Sequence, residues 1–205
     1  MTPFDPRYHH RRSIRLKGYD YAQPGAYFVT VVTQERECLF GEVMEGGMHL
    51  SPAGNIAQGE WQRLSARFPH VCLDAFVVMP NHVHGIIIIL GDDSRGTADS
   101  GDALNLSSTR RAPTPSTTRR TPTQERFGKP VPGSIPTIVR SYKSATTLRI
   151  NYLRHASGIP VWQRNYYEHI VRNDEELQAI RRYILDNPYQ WDSDDENPWR
   201  KELVR

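Results

Sequence analysis

The sequence predicts an α+β domain on a four-stranded antiparallel sheet, and three features carry that expectation. Runs of β-branched and aromatic residues, such as residues 27–33 and 86–89, read as strands. Between such runs lie segments whose apolar residues recur at helical spacing, opened by capping signals and closed by proline. The order is strand, helix, strand, strand, helix, strand, helix. That is close to the ferredoxin-like split βαβ pattern, a sheet with helices packed on one face.

Composition bounds the protein before any motif is read. The chain has 205 residues, 38% of them hydrophobic and 24% charged, enough for one domain with its own core and some disordered sequence. A net charge of +3 permits a nucleic-acid partner without demanding one. Cys38 and Cys72 are the only cysteines, which excludes a disulfide framework and a cysteine-based zinc site. The first residues lack the apolar core of a signal peptide, and no apolar run approaches the roughly 18 residues of a membrane helix. A cytoplasmic protein with no membrane partner is expected.

Taken in order, residues 1–19 form a basic arm in which Arg11, Arg12 and Arg15 are candidate contacts to a phosphate backbone. A single domain is expected over 20–191. Its first strand, residues 27–33, leads to two short extended pieces around the turn signal Glu45-Gly46-Gly47. Ser51 then caps a helix with Pro52 at its first position. Ile56, Ala57, Trp61, Leu64 and Phe68 give this helix one apolar face, and Pro69 ends it. Residues 74–79 read as a strand, Met79-Pro80-Asn81 as a turn, and the run from His82 to Ile89 as the next strand.

From 91 to 133 Ser, Thr, Pro, Gly, Asp and Arg dominate, a composition that cannot bury enough apolar surface to offset its own ordering. This stretch is read as a disordered insertion. Residues 134–155 predict a helix with Ile138, Tyr142, Ala145, Leu148 and Tyr152 on one side and Arg140, Lys143, Arg149 and Arg154 on the exposed side. Residues 161–171 are extended and aromatic. Asn173 caps the last helix with Glu176 placed for a capping box, Leu177, Ile180, Tyr183 and Ile184 run along it, and Pro188 stops it after Asn187. Residues 192–205 are left as a tail.

The chemistry centres on His82 and His84. Residues two apart on a strand share a face, so the two imidazoles project side by side at a spacing suited to one metal ion. The same pair also suits half-buried polar filler. Tyr183 and Asn187, four apart, are neighbours on one face of their helix. If that face lies over the histidine strand, the site holds two imidazoles, an amide oxygen and a phenol, a donor set suited to Mg²⁺ or Mn²⁺. The phenol oxygen could then attack a phosphodiester polarised by the cation, with Arg181 and Arg182 on the DNA backbone. Tyr142 is the rival nucleophile, but its spacing is that of a packing residue. His169 reads as a structural histidine sooner than as a group that approaches the metal or orients a phosphate, Tyr166 and Tyr167 as strand packing or base-stacking platforms, and Trp162 and Trp191 as core or interface.

Three motifs together, Pro80-Asn81-His82-Val83-His84, Trp162-Gln163-Arg164 leading into Tyr166-Tyr167-Glu168-His169-Ile170-Val171-Arg172, and Tyr183-Ile184-Leu185-Asp186-Asn187-Pro188, resemble the HUH single-tyrosine transposases, closest to the REP-associated tyrosine transposases. The resemblance covers residues 20–90 and 134–191. It implies a ferredoxin-like fold, a single-stranded or hairpin DNA substrate, and cleavage and rejoining through a 5′-phosphotyrosine. It places His82 and His84 as metal ligands, Tyr183 as nucleophile and Asn187 as the helix-borne ligand; some relatives use the longer glutamine there. Lys143 and Arg164 join the arginines above as DNA-binding candidates. The competing class is a catalytically silent binding protein of the same fold that grips DNA hairpins. A histidine-triad nucleotide hydrolase needs a third alternating histidine, and Ile86 stands there instead. Monomer and homodimer are both compatible with the sequence.

Overall fold

In the computed structural model, which describes residues 19–91 and 131–200, an antiparallel sheet is built from four strands. β1 (Gly25–Val32) leads through a short hairpin, β2 (Gly41–Met44) and β3 (Gly47–Leu50), into α1 (Pro52–Gln62) and the one-turn α2 (Leu64–Arg67). β4 (Val71–Val78) and β5 (His82–Ile89) form the next hairpin, followed by α3 (Ile135–Leu153), β6 (Tyr167–Val171) and α4 (Asp174–Asp186). The order across the sheet is β4-β5-β1-β6, with every neighbouring pair antiparallel, so the ferredoxin-like arrangement holds and β5 is a central strand. The arm holding Arg11, Arg12 and Arg15 and nearly all of 91–133 lie outside the described residues.

Capping explains where the helices start. Ser51 Oγ accepts from the Gly54 amide at 3.1 Å, and Pro52 follows at the first helical position. Asn173 Oδ1 accepts from the Glu176 amide at 2.8 Å, while the Glu176 carboxylate turns back onto the Arg172 amide at 2.7 Å. His169 Nε2 lies 2.8 Å from that carboxylate, so this histidine belongs to the start of α4.

Strand alternation sorts the sheet into two faces. Tyr27, Val29 and Val31 of β1 and Val83, Ile87 and Ile89 of β5 point towards α1 and α3 and form the larger core. Ala26, Phe28 and Ile86 point the other way, against Leu177, Ile180 and Ile184 of α4. The helix layer of the split βαβ unit is thus α1 with α3, and α4 covers the opposite face. Gly85 belongs to the first face, where a Cβ would lie 2.6 Å from Cη2 of Trp61. The missing side chain admits the indole, which stacks on Phe76 at 4.5 Å.

The stripe expected along α3 is corrected. Tyr142 and Ile138 of α3 are buried, but Leu148 is 73% and Tyr152 84% exposed. The buried stripe runs instead through Ile135, Val139, Thr146 and Ile150. Thr146 can be buried because its hydroxyl donates to the Tyr142 carbonyl at 2.7 Å.

Candidate active site

The even positions of β5 carry His82 and His84 to the α4 face at the end of the sheet, both fully buried. Their Nε2 atoms lie 3.0 Å apart. Each ring is oriented through its other nitrogen. His82 Nδ1 is 2.8 Å from Asn81 Oδ1, and the Asn81 amide nitrogen donates to the carbonyls of Arg36 and Glu196, which fixes its orientation. His84 Nδ1 is 2.8 Å from Thr30 Oγ1, across the ladder on β1. With both Nδ1 atoms engaged, the two Nε2 atoms are the ones directed into the site, an arrangement typical of metal-ligating histidines.

α4 brings the phenol. The Tyr183 hydroxyl lies 3.3 Å from His84 Nε2, and its ring packs edge-on to those of His84 and Phe28. Burial pushes this hydroxyl well above the ordinary tyrosine range, and the negative charge of Asp194 adds to the effect. One turn further on, Asn187 is only 1% exposed. Its amide nitrogen donates to Asp194 Oδ2 at 3.3 Å, whereas its buried Oδ1 has no hydrogen-bond partner among the described residues.

Asp194 was not foreseen from sequence. After Asn187 the chain makes a six-residue 3₁₀ turn, Pro188–Ser193, which packs Trp191 against His82 with ring centroids 6.0 Å apart. The segment assigned to a tail then folds back, and one carboxylate oxygen of Asp194 falls within 4.8 Å of a ring nitrogen of each histidine. His82, His84 and Asp194 form a group able to hold a metal ion. The orphaned Asn187 Oδ1 tests the fit independently. A buried carbonyl oxygen without a donor carries a desolvation cost that a cation relieves, and two imidazoles with two oxygens suit a divalent ion. The acidic run from Asp192 to Glu196 was the available signal, but a run of exposed-looking acids gives no direction in space.

The remaining candidates are placed elsewhere. Arg181 spans the Asp74 carboxylate in a bidentate pair, Nε to Oδ1 at 2.8 Å and Nη2 to Oδ2 at 2.5 Å, tying α4 to β4. Lys143 Nζ donates to the carbonyls of Gln163 and Arg164, at 2.5 and 3.1 Å, and so holds the stretch before β6. Arg164 and Arg182 are exposed. Tyr142 is fully buried in the larger core, its hydroxyl donating to the Ala57 carbonyl at 3.2 Å.

Known proteins bear on this arrangement at two levels. No family model matches the sequence. An uncharacterized protein of Haemophilus influenzae is 38% identical over 194 residues, 94% of this chain and 96% of that one. Among solved structures, a REP-associated tyrosine transposase bound to a REP hairpin matches over 86% of this chain and 73% of that chain, with a TM-score of 0.50 and 16% identity. A candidate transposase from Deinococcus radiodurans R1 matches over 84% of this chain and 95% of its own, with a TM-score of 0.40 and 17% identity. The chain belongs to one family with the Haemophilus protein, and its fold is that of the REP-associated tyrosine transposase.

Proposed function

We propose that this protein is a divalent-metal-dependent strand transferase acting in the cytoplasm on single-stranded, hairpin-forming DNA, with Tyr183 as its nucleophile. The observation that carries the reading is the convergence of the Tyr183 hydroxyl, the two Nε2 atoms and the unpartnered Asn187 Oδ1 at one end of the sheet. The likeness in fold to a transposase bound to a DNA hairpin supports the substrate class.

His82 Nε2, His84 Nε2, Asn187 Oδ1 and Asp194 are the groups that would hold Mg²⁺ or Mn²⁺. When bound, the cation supplies positive charge that offsets Asp194, favours the phenolate and polarises the phosphodiester. Tyr183 loses its proton to water and its Oη attacks phosphorus. The new bond joins Oη to phosphorus, the bond from phosphorus to the 3′ oxygen breaks, and that oxygen takes a proton from water. The products are a 5′-phosphotyrosine and a free 3′-hydroxyl, and the reverse step rejoins a strand. Asn81 and Thr30 keep the imidazoles oriented. Arg164 and Arg182, exposed on the surface, serve the DNA backbone, whereas Arg181 and Lys143 hold the protein together.

Covalent trapping tests this reading. The protein is incubated with end-labelled single-stranded DNA from the flanks of its gene, with Mn²⁺, with Mg²⁺ or with chelator, and resolved on denaturing gels. A labelled protein band that requires the metal is expected. Tight binding with no adduct in either metal would replace the reading with that of a silent hairpin-binding protein.

A further inference from the structure

The 3₁₀ turn that follows Asn187 carries an aromatic ring on the outside as well as one on the inside. Trp191 is buried against His82, but Tyr189, two residues earlier, is 77% exposed. Its backbone is fixed: Pro188 opens the turn, and the Gln190 amide donates to the Asn187 carbonyl at 3.0 Å. Its ring is also fixed on one side. It rests against Gly46 in the turn between β2 and β3, where a Cβ would come within 2.6 Å of the ring carbon Cε1. Gly46 has φ +75°, so both the backbone and the ring require glycine there.

Among the described residues two further large aromatic side chains are exposed: Trp199, beyond Asp194, and Tyr152 of α3, which belongs to the helix layer on the opposite face of the sheet from the histidines. Tyr189 differs because its six-residue turn connects Asn187 to Asp194 and carries Trp191 against His82. Single-stranded DNA has bases that have lost their stacking partners, and an aromatic ring braced on one side and open on the other replaces such a partner whatever the base. Resting on the function proposed above, we infer that Tyr189 is the stacking platform for an unpaired nucleobase flanking the scissile phosphodiester. It is a positioning residue that sets where along the strand the phosphate meets Tyr183.

The probe is a fluorescein-labelled single-stranded oligonucleotide from the gene's flanks, containing a hairpin with unpaired arms, and binding is read by anisotropy with Mn²⁺ present. Tyr183→Phe is the background throughout, so that no cleavage occurs. Adding Tyr189→Ala should weaken binding about ten-fold, and Tyr189→Phe should stay within about two-fold, because stacking needs the ring and not the hydroxyl. One abasic substitution in the unpaired arms should cost the Tyr189 protein about ten-fold and the alanine variant nothing. 2-Aminopurine at that same position should be quenched on binding only when residue 189 is aromatic. Unchanged affinity of Tyr189→Ala, or an abasic penalty that persists in it, overturns the inference while leaving strand transfer intact. Failure of the unaltered protein both to bind this DNA and to form an adduct overturns the function and the inference with it.

Discussion

Tyr142 and Tyr183 sit on opposite faces of one sheet, each on a helix, each with its hydroxyl pushed above the ordinary tyrosine range chiefly by burial. Their surroundings differ in kind. Tyr142 stands edge-on to Trp61 at 5.5 Å, within a layer where Trp61 also stacks on Phe76, and its hydroxyl is spent on a helix carbonyl. Tyr183 lies where the apolar cluster of Phe28, Ile86, Ile180 and Ile184 gives way to two imidazoles, an amide and a carboxylate. A raised phenol is therefore no sign of chemistry by itself. What separates the faces is the parity of β5, whose odd residues Val83 and Ile87 fill the core while His82 and His84 face α4.

The sharpest way to break the contrast is to remove each hydroxyl in turn. Tyr183→Phe should lower covalent adduct formation by at least about a thousand-fold, since no other group replaces a nucleophile. Tyr142→Phe should leave the adduct unchanged and cost about 1 kcal/mol of stability, a fall of roughly 2–4 °C in Tm. Gel trapping and thermal melts read the two effects. An adduct lost in Tyr142→Phe and kept in Tyr183→Phe would reverse the assignment of the faces.

Metal affinity gives the next tier. His82→Ala or His84→Ala should weaken Mn²⁺ binding, measured by calorimetry, by more than about a hundred-fold, beyond the roughly 10–100-fold typical of changes behind a ligand. Thr30→Val keeps the shape of the side chain but removes the 2.8 Å contact to His84 Nδ1, and should cost about ten-fold. Equal affinity in Thr30→Val would mean that packing alone orients the ring.

These predictions rest on features of unequal visibility in the sequence. The histidine pair was legible because strand parity is local, and Tyr183 with Asn187 because helical spacing is local too. Ser51 with Pro52, and Asn173 with Glu176, announced their helices by cap chemistry that acts within one turn. Asp194 was not legible, since it arrives through a 3₁₀ turn and a chain reversal that carry no periodicity. The oxygen of Asn81 that orients His82 was likewise hidden behind an ordinary turn residue. α3 was misread because its sequence offers two overlapping stripes. Polarity alone favoured the one through Leu148 and Tyr152, whereas packing against α1 selected the one through Thr146, whose hydroxyl is satisfied by its own helix.

The closed face should respond to volume where the α4 face responds to chemistry. Gly85→Ala places a methyl within 2.6 Å of Trp61 Cη2 and 3.0 Å of Phe76 Cδ2, neither of which is the end of a flexible chain. Overpacking of this kind costs roughly 1–3 kcal/mol, or about 2–4 °C in Tm for each kcal/mol in a domain of this size. The methyl points away from the histidines, so Mn²⁺ affinity per folded molecule should change little. A loss of metal affinity larger than that of Thr30→Val would show that the two faces are mechanically coupled through β5.

The smallest effect concerns Lys143, which separates holding the fold from binding DNA. Burial pushes its ammonium down from 10.5 to about 8, and its two hydrogen bonds go to backbone carbonyls of Gln163 and Arg164. At pH values below about 8 the folded and unfolded chains both carry the proton, and folding bears the cost of burying a charge. As pH rises from about 8 towards 10.5 the folded chain gives up a proton that the unfolded chain keeps, so this residue makes stability increase across that window. Lys143→Met removes the titration together with the two hydrogen bonds. The variant should be less stable at neutral pH yet lack the added rise, so its melting temperatures plotted against pH should fall progressively further below those of the unaltered protein. Parallel curves would mean that the ammonium is solvated in the folded state, and would return Lys143 to the set of cations available to a phosphate backbone.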